Sequence, residues 1–151
     1  MKIQKNHNGF NKKKKLGFLY NFIKDRKLAV LATVSKSGFP ESSVMGIAIT
    51  KELEIICSSF NSSRKFQNLK ANSKASLVIG WEKGKTVQYE GVAKEVLEKD
   101  LDDVLELYLK RVFSIAKYVP REFGVIYKIK PKWIRYSDLG VEPWERFDVK
   151  F

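Results

Sequence analysis

A succession of short apolar runs joined by turns is the feature that most constrains how this chain folds. The runs are rich in β-branched and aromatic residues and are separated by turn sequences such as SKSGFP and EKGK, a pattern typical of β-strands. The six runs are LAVLATV (28–34), ESSVMGIAIT (41–50), ELEIICSS (52–59), ASLVIGW (75–81), TVQYEGVAKEVLE (86–98) and FGVIYKIKPKWIRYSDL (123–139). Because helices do not alternate regularly with these runs, a doubly wound sheet is not expected. The order predicts an antiparallel, barrel-like sheet.

Three further segments carry apolar residues at helical spacing and are predicted to flank the sheet. They cover residues 16–27, 64–72 and 99–117. Pro120 follows the third segment and ends it, because proline cannot continue a helix. The predicted fold class is therefore mainly β with some α.

Two residues predict irregularities in the later strands. Gly91 lies inside a strand, where glycine usually marks a bulge or a close approach of another backbone. Pro131 has no N–H to donate to a neighbouring strand. We therefore expect residues 123–139 to form two short strands with Pro131 between them.

The composition is that of one globular domain with a strong positive charge. The chain has 151 residues, 44% of them hydrophobic, and a formal net charge of +12. Residues 1–15 hold six lysines and no acidic residue, which predicts a basic, flexible arm at 1–15 and a folded domain at 16–151. The arm is either simply solvated or a weak, non-specific binder of polyanions such as nucleic acids.

Several classes of functional site find no support in the sequence. Cys57 is the single cysteine, so an intrachain disulfide and a CxxC pair are excluded. We interpret it as a buried thiol at the end of an apolar strand. His7 is the single histidine and lies in the basic arm, so neither a Ser-His triad nor a histidine-ligated metal site is expected. No metal site is predicted.

The sequence also lacks the signals of secretion and membrane insertion. The basic start is not followed by an apolar segment of signal-peptide length, and no stretch approaches the length of a membrane span. We expect a cytoplasmic protein with no membrane partner.

The polar loop after the third strand contains the most informative group of residues. Two basic residues open the helix that follows, although the positive end of the helix dipole disfavours cations there. A bound phosphate would resolve this conflict, because it accepts bonds from free N–H groups, hydroxyls and cationic side chains. The alternative is that Asn61 or Ser62 caps the helix and the other polar residues are solvated. The group is Ser58, Ser59, Ser62, Ser63, Arg64 and Lys65.

A second candidate pair lies in the last predicted strand. Trp133 and Arg135 are two residues apart, so both project to the same side of a strand. The pair could stack on and ion-pair with a ligand, or it could be an edge-strand pair with no ligand.

Three blocks of sequence occur in a characteristic order: LAVLATVSKSGFPESSVMGIAI, LEIICSSFNSSRKFQNLKANSKASLVI and TVQYEGVAKEV. Taken together, they resemble the pyridoxamine phosphate oxidase-like family of FMN-binding split barrels, and the resemblance covers roughly residues 16–136. It implies a six-stranded antiparallel split β-barrel with flanking helices, an FMN cofactor and a homodimer.

The resemblance also implies where the cofactor lies. The flavin would lie against the second strand and the end of the third, and the basic pair that opens the short helix would hold its phosphate. A glutamine on the fifth strand would approach the cofactor, and the Trp-Arg pair of the last strand would come from the partner chain. The implied cofactor-binding residues are Ser43, Val44, Met45, Gly46, Ser58, Ser59, Ser63, Arg64, Lys65, Gln88, Trp133 and Arg135.

Two departures from the family pattern bear on the reaction. Ser43 stands where the true pyridoxamine phosphate oxidases carry an arginine, and the C-terminal end DLGVEPWERFDVKF lacks their histidine-containing substrate motif. Oxidation of vitamin B6 is therefore not expected. The resemblance implies an FMN-dependent oxidoreductase of unassigned substrate, whose catalytic residues are unknown.

Two other readings of the function stay open. One is a non-catalytic module that binds flavin, another phosphorylated ligand or a polyanion. The other is a protein that uses a deazaflavin cofactor in the same phosphate pocket.

Overall fold

Seven β-strands and three α-helices make up the computed structural model of the chain, which describes residues 9–112 and 123–151. In chain order they are α1 (Lys12–Lys24), β1 (Leu28–Val34), β2 (Pro40–Ile49), β3 (Ile55–Phe60), α2 (Arg64–Ala71), β4 (Lys74–Ile79), β5 (Lys85–Glu95), α3 (Glu98–Arg111), β6 (Gly124–Asp138) and β7 (Glu145–Lys150). All strand pairs are antiparallel, and the order across the sheet is β3-β2-β1-β4-β5-β6-β7.

The long strand β6 closes the sheet into a barrel. Its first part, 124–129, pairs with β3, and its last part, 133–138, pairs with β7. Along its other edge, β6 pairs with β5 from 127 to 138. The first six strands therefore form a closed barrel, and β7 extends the sheet beyond it. The predicted fold class, mainly β with a six-stranded antiparallel barrel and flanking helices, is confirmed.

The inside of the barrel is filled by every second residue of each strand. In β4, for example, Ala75, Leu77 and Ile79 are buried and the residues between them are exposed. Tyr89 lies fully buried in this core, and its hydroxyl lies 2.7 Å from the carbonyl oxygen of Ile129 and 3.0 Å from that of Leu53. These hydrogen bonds satisfy the one polar atom that the ring brings into the apolar interior.

The expectation of two short strands around Pro131 is wrong, because β6 runs through the proline without a break. The irregularity lies in its pairing with β5. Glu90 pairs with Trp133 and Gly91 with Pro131, so one residue of β6 bulges out between them. Gly91 thus marks a bulge, as predicted, and also a close approach: a Cβ atom there would lie 2.6 Å from the carbonyl oxygen of Lys130.

The seventh strand was not predicted. The sequence ERFDVK does alternate, since Phe147 and Val149 are buried and the residues between them are exposed. That period of two was the signal that could have revealed it. The loop before β7 contains a cis peptide bond between Glu142 and Pro143.

The first helix begins earlier than predicted. Residues Lys12 to Lys15 had been assigned to the flexible arm, but they form the first turn of α1, and Asn11 caps them by accepting a bond from the N–H of Lys14 (3.0 Å). Lys12 and Lys15 lie over the rings of Phe151 and Phe147. Residues 1–8 lie outside the described residues, so flexibility there stays a prediction.

The other two helices cover different parts of the barrel. Helix α2 packs its buried Leu69 into the main core. Helix α3 lies on the outside, where Val104 and Tyr108 join Ala48 and Ile56 in a second apolar cluster. The predicted extension of α3 to 117 and the role of Pro120 lie outside the described residues. None of the helices in the described ranges is long and apolar enough to cross a membrane.

Replacing Gly91 with Ala should destabilise the protein. The added methyl group would meet the Lys130 carbonyl oxygen at 2.6 Å and a Tyr89 ring carbon at 2.9 Å, and overpacking of this kind costs about 1–3 kcal/mol. Urea unfolding of both proteins measures the difference. Gly17→Ala is the matched control, because nothing lies within 4 Å of its added Cβ in α1 and alanine favours the helix. Equal destabilisation by both variants would show that the contact at Gly91 does not matter.

Candidate functional site

The start of helix α2 carries the predicted phosphate-binding group. Ser63 is the N-cap residue, in place of the expected Asn61 or Ser62, and its Oγ accepts a bond from the N–H of Phe66 (3.3 Å). The first turn contains no acidic residue. Arg64 and Lys65 are the first two helical residues, so their N–H groups have no partner within the helix. The helix end, the two cations and the cap hydroxyl all favour an anion here.

The serines that precede the helix do not all reach this point. Ser59 does, because its Oγ lies 2.6 Å from the Oγ of Ser63. Ser58 points to the outside of the barrel instead, where its Oγ lies 3.1 Å from the hydroxyl of Tyr108. Ser62 is exposed. The structure therefore brings together Ser59, Ser63 and the basic pair, and separates them from Ser58.

The two basic residues occupy different surroundings. Arg64 is 83% exposed at its side chain and makes an ion pair with Glu41 at the start of β2. Lys65 is half-buried, and its charge acts on Cys57. Burial raises the pKa of the Cys57 thiol to about 12, and the nearby Lys65 ammonium lowers it in part. A thiol with such a pKa is protonated and unreactive at neutral pH, so the interpretation of Cys57 as a buried thiol is confirmed.

Glu41 is a site residue that the sequence did not reveal. Its second carboxylate oxygen accepts a bond from Nδ2 of Asn68 (2.8 Å), and Asn68 Nδ2 also lies 3.0 Å from the hydroxyl of Thr33. Asn68 and Thr33 are both buried. Glu41, Arg64 and Asn68 line an open cleft of about 480 Å³ between the β1–β2 turn and α2. Lys36 and Arg64 are the basic residues that line the cleft, and Glu41 already compensates the charge of Arg64.

In the predicted flavin-binding part of β2, Val44 is exposed to solvent, whereas α3 covers Gly46. Val44 is 62% exposed on the outside of the barrel. Met45 points inward and is buried in the core, and Ser43 lies on that same inner side, with its Oγ 3.7 Å from the Met45 sulfur. Gly46 faces outward, but α3 covers it. A Cβ there would lie 2.5 Å from Cγ1 of Val112.

Tyr108 attaches α3 to this surface through its hydroxyl group. Its hydroxyl donates to the carbonyl oxygen of Gly46 (3.2 Å) and lies 3.1 Å from the Oγ of Ser58. The tyrosine thus ties α3 to β2 and β3 at two predicted site residues. The sequence showed Tyr108 only as an apolar residue of a helix, since a contact across 62 positions leaves no local signal.

The remaining predicted residues lie on the opposite part of the outer surface. Gln88 pairs with Arg135 across β5 and β6. Arg135 Nε and Nη2 donate to the two carboxylate oxygens of Asp148 (2.7 and 2.8 Å), and these bonds hold the pKa of Asp148 below its usual range. The Arg135 guanidinium lies 4.9 Å from the centre of the Trp133 ring. The two residues share one face, as predicted, and form a pair within the chain.

Strand pairing shows how far Val44 on β2 lies from Gln88 on β5. Val44 pairs with Val30 on β1, Val30 with Val78 on β4, and Val78 with Gln88 on β5. We call this the valine row. Neighbouring strands lie about 4.8 Å apart, so Gln88 is three strand spacings, or about 14 Å, from Val44. The structure therefore does not bring Gln88 to the same point as Val44 within one chain.

The described residues contain no group of three or more His, Cys, Asp or Glu side chains placed to hold a metal ion. The positively charged start of α2 has groups that can bind an anion such as a phosphate.

The fold and this site define a class: small antiparallel split barrels with a cationic helix start beside the second strand. The sequence model of the family described as pyridoxamine 5'-phosphate oxidase matches residues 19–138. The chain belongs to this family, which confirms the resemblance seen in the sequence.

Solved structures with the same fold carry diverse names. The general stress protein 26 of Bacillus anthracis str. Sterne is 18% identical, with a TM-score of 0.70 over 91% of this chain and 98% of that one. HutZ, the heme storage protein of Vibrio cholerae, is 20% identical, with a TM-score of 0.65 over 76% and 88%.

A heme binding protein of Mycobacterium smegmatis is 15% identical to this chain, with a TM-score of 0.75 over 87% of this chain. This chain spans only 55% of that protein's length. No curated protein matches the sequence. At these identities the likenesses show the fold and leave the ligand open.

Proposed function

We propose that this protein binds FMN and works as an oxidoreductase whose substrate is unassigned. The observation that carries the proposal is the start of α2, where Ser63 caps a helix that opens with Arg64 and Lys65 and has no acid in its first turn. A phosphate monoester has about two negative charges at neutral pH. It is the ligand for which this combination of cations, hydroxyl and free N–H groups is suited.

The residues on the outside of β2 fit the rest of the cofactor. Val44 offers an exposed apolar surface on the strand that also carries Glu41, the ion-pair partner of Arg64, and Tyr108 holds the Gly46 carbonyl and the Ser58 hydroxyl at the edge of that surface. When bound, the flavin would supply the electron-transfer chemistry. The chain would bind and orient it, and none of its side chains needs to act as an acid or base.

A heme ligand is the alternative that the similar structures raise. The residues of this chain favour flavin. Its single histidine, His7, lies in the basic arm, and its single cysteine, Cys57, is buried in the barrel core. Heme iron is held by histidine, cysteine, methionine or tyrosine, and the start of α2 contains none of these. The absorbance spectrum of the cofactor released by acid from the purified protein distinguishes flavin, deazaflavin and heme.

Replacing Arg64 and Lys65 together with Ala should weaken FMN binding about 100-fold or more. Two lost charge-assisted bonds at the low end of their range, about 1.5 kcal/mol each, give this factor. Fluorescence titration measures the affinity. Riboflavin lacks the phosphate, so its affinity should not change. The matched control is Lys70→Ala with Lys74→Ala, which removes the same charge from the last turn of α2 and the start of β4. Unchanged FMN affinity in the Arg64-Lys65 variant would refute the proposal.

We also propose that the protein is a homodimer that completes the flavin site. Val44 and Val78 on the valine row are exposed, 62% and 38%, on a face where a second copy could bury them. Gln88, Trp133 and Arg135 lie about half-way round the barrel from Val44 and face away from it. A partner chain docked across this face would supply its own three residues to the flavin.

Replacing Val78 with Glu should break this dimer, because the valine row would then carry a buried charge in the interface. We expect sedimentation to change from twice the chain mass to the chain mass, and FMN affinity to fall with it. Val141→Glu is the control, since Val141 is similarly exposed (41%) in the loop before β7. A wild-type protein that is monomeric and still binds FMN tightly would overturn the interface.

A second proposal concerns the first turn of α1, which we infer to be a weak, non-specific binding surface for nucleic acids. Lys12 to Lys15 are consecutive and form no ion pair within the described part of the chain. The apolar face of α1, including Leu19 and Ile23, is buried against the barrel. It is therefore not free to enter a lipid bilayer, which an interfacial helix requires.

Replacing Lys12 to Lys15 with Gln should weaken binding to duplex DNA and make it less dependent on salt. Counterion release predicts that the slope of log affinity against log salt becomes shallower by up to about four. Fluorescence anisotropy with a labelled duplex measures both quantities. The control replaces four exposed lysines elsewhere, Lys51, Lys74, Lys94 and Lys99. An equal effect of both sets would show that only the net charge matters.

A further inference from the structure

We propose that Glu41 is a specificity-determining residue that competes with a bound phosphate for Arg64. This inference rests on the proposed phosphate site at the start of α2, and it assigns a role to a carboxylate that the sequence did not single out. Glu41 is already the ion-pair partner of Arg64. A phosphate that binds Arg64 must therefore displace or share this carboxylate.

The Glu41 carboxylate has a second hydrogen-bond partner besides Arg64, which holds it in place. One oxygen contacts Arg64, and the other accepts a bond from Nδ2 of Asn68 (2.8 Å). Asn68 is buried and its Nδ2 lies 3.0 Å from the hydroxyl of Thr33, which is also buried. The backbone of Glu41 pairs with Thr33 in the β1–β2 ladder. These contacts hold the carboxylate in place, so it stays beside Arg64 when an anion binds.

The arginine, in contrast, is free to change partners. Its side chain is 83% exposed, whereas that of Glu41 is 18% exposed. An ion pair with so exposed a partner contributes little to stability, so a ligand can take the guanidinium without disrupting the fold. After the exchange, Glu41 keeps only its bond from Asn68 and lies beside a phosphate of the same charge sign. The repulsion grows with the charge of the phosphate.

Glu41 thus lowers the affinity of the site for phosphate below the value that Arg64 and Lys65 would give without it. Because a monoester such as FMN has nearly twice the negative charge of a diester, the penalty is larger for the monoester. At this phosphate site, the Glu41 carboxylate weakens the binding of dianions.

Replacing Glu41 with Gln tests the inference. The amide keeps an oxygen for Asn68 but removes the charge, so FMN should bind roughly tenfold more tightly. Riboflavin affinity should not change, because that ligand has no phosphate. The matched control is Glu54→Gln, which removes the same charge from a carboxylate that pairs with Lys128 (3.3 Å) and is 22% exposed. It should leave both affinities unchanged.

Inorganic phosphate serves as a second probe, with line broadening of its phosphorus NMR signal as the readout. Stronger broadening with E41Q than with the wild type supports the competition even if FMN does not bind to either protein, in which case only the proposed function fails. If FMN binds the wild type and E41Q binds it equally or more weakly, the competition is refuted and the proposed function stands. Glu41→Ala carries the same expectation if E41Q does not fold.

Discussion

Backbone pairing between β3 and β6 is the interaction on which the rest of this structure depends. These strands are far apart in the sequence, and their ladder runs from the pair Ile55 and Ile129 to the pair Phe60 and Gly124. Without it the sheet would have two open edges and its inner side chains would face water. The pairing covers the edge of β3 and leaves β7 as the remaining edge strand of the sheet. It also fixes the end of β3, from which the chain enters α2.

The two helices around this closure illustrate different ways of attaching a helix to a barrel. Helix α2 enters the main core through Leu69 and uses a buried amide, Asn68, to bond β1 and β2. Helix α3 lies outside and depends on Tyr108, which bonds the Gly46 carbonyl. A buried polar group is costly unless it is paired, so both attachments have a preferred geometry that apolar packing alone would not impose.

Much of the fold follows from local patterns, and most of the failures come from distant contacts. The apolar run of β1 and the basic start of α2 were predicted at their observed first residues, because period and capping are local signals. The continuous β6 was missed because the bulge beside Pro131 depends on the pairing with β5. Glu41 was missed for the same reason. Its bond with Asn68 joins residues 27 positions apart, and only the closed barrel brings them together.

The end of the barrel near α2 differs in chemistry from the core. Elsewhere the interior is filled by buried side chains such as Leu77 and Tyr89. At the end near α2, the interior instead meets Thr33, Asn68 and Glu41, whose polar atoms bond one another. The burial of these polar side chains is tolerated because each of them has a hydrogen-bond partner. The same bonds present a fixed negative charge to the start of a helix that carries two positive ones, so the electrostatic balance of the site is set by the fold before any ligand arrives.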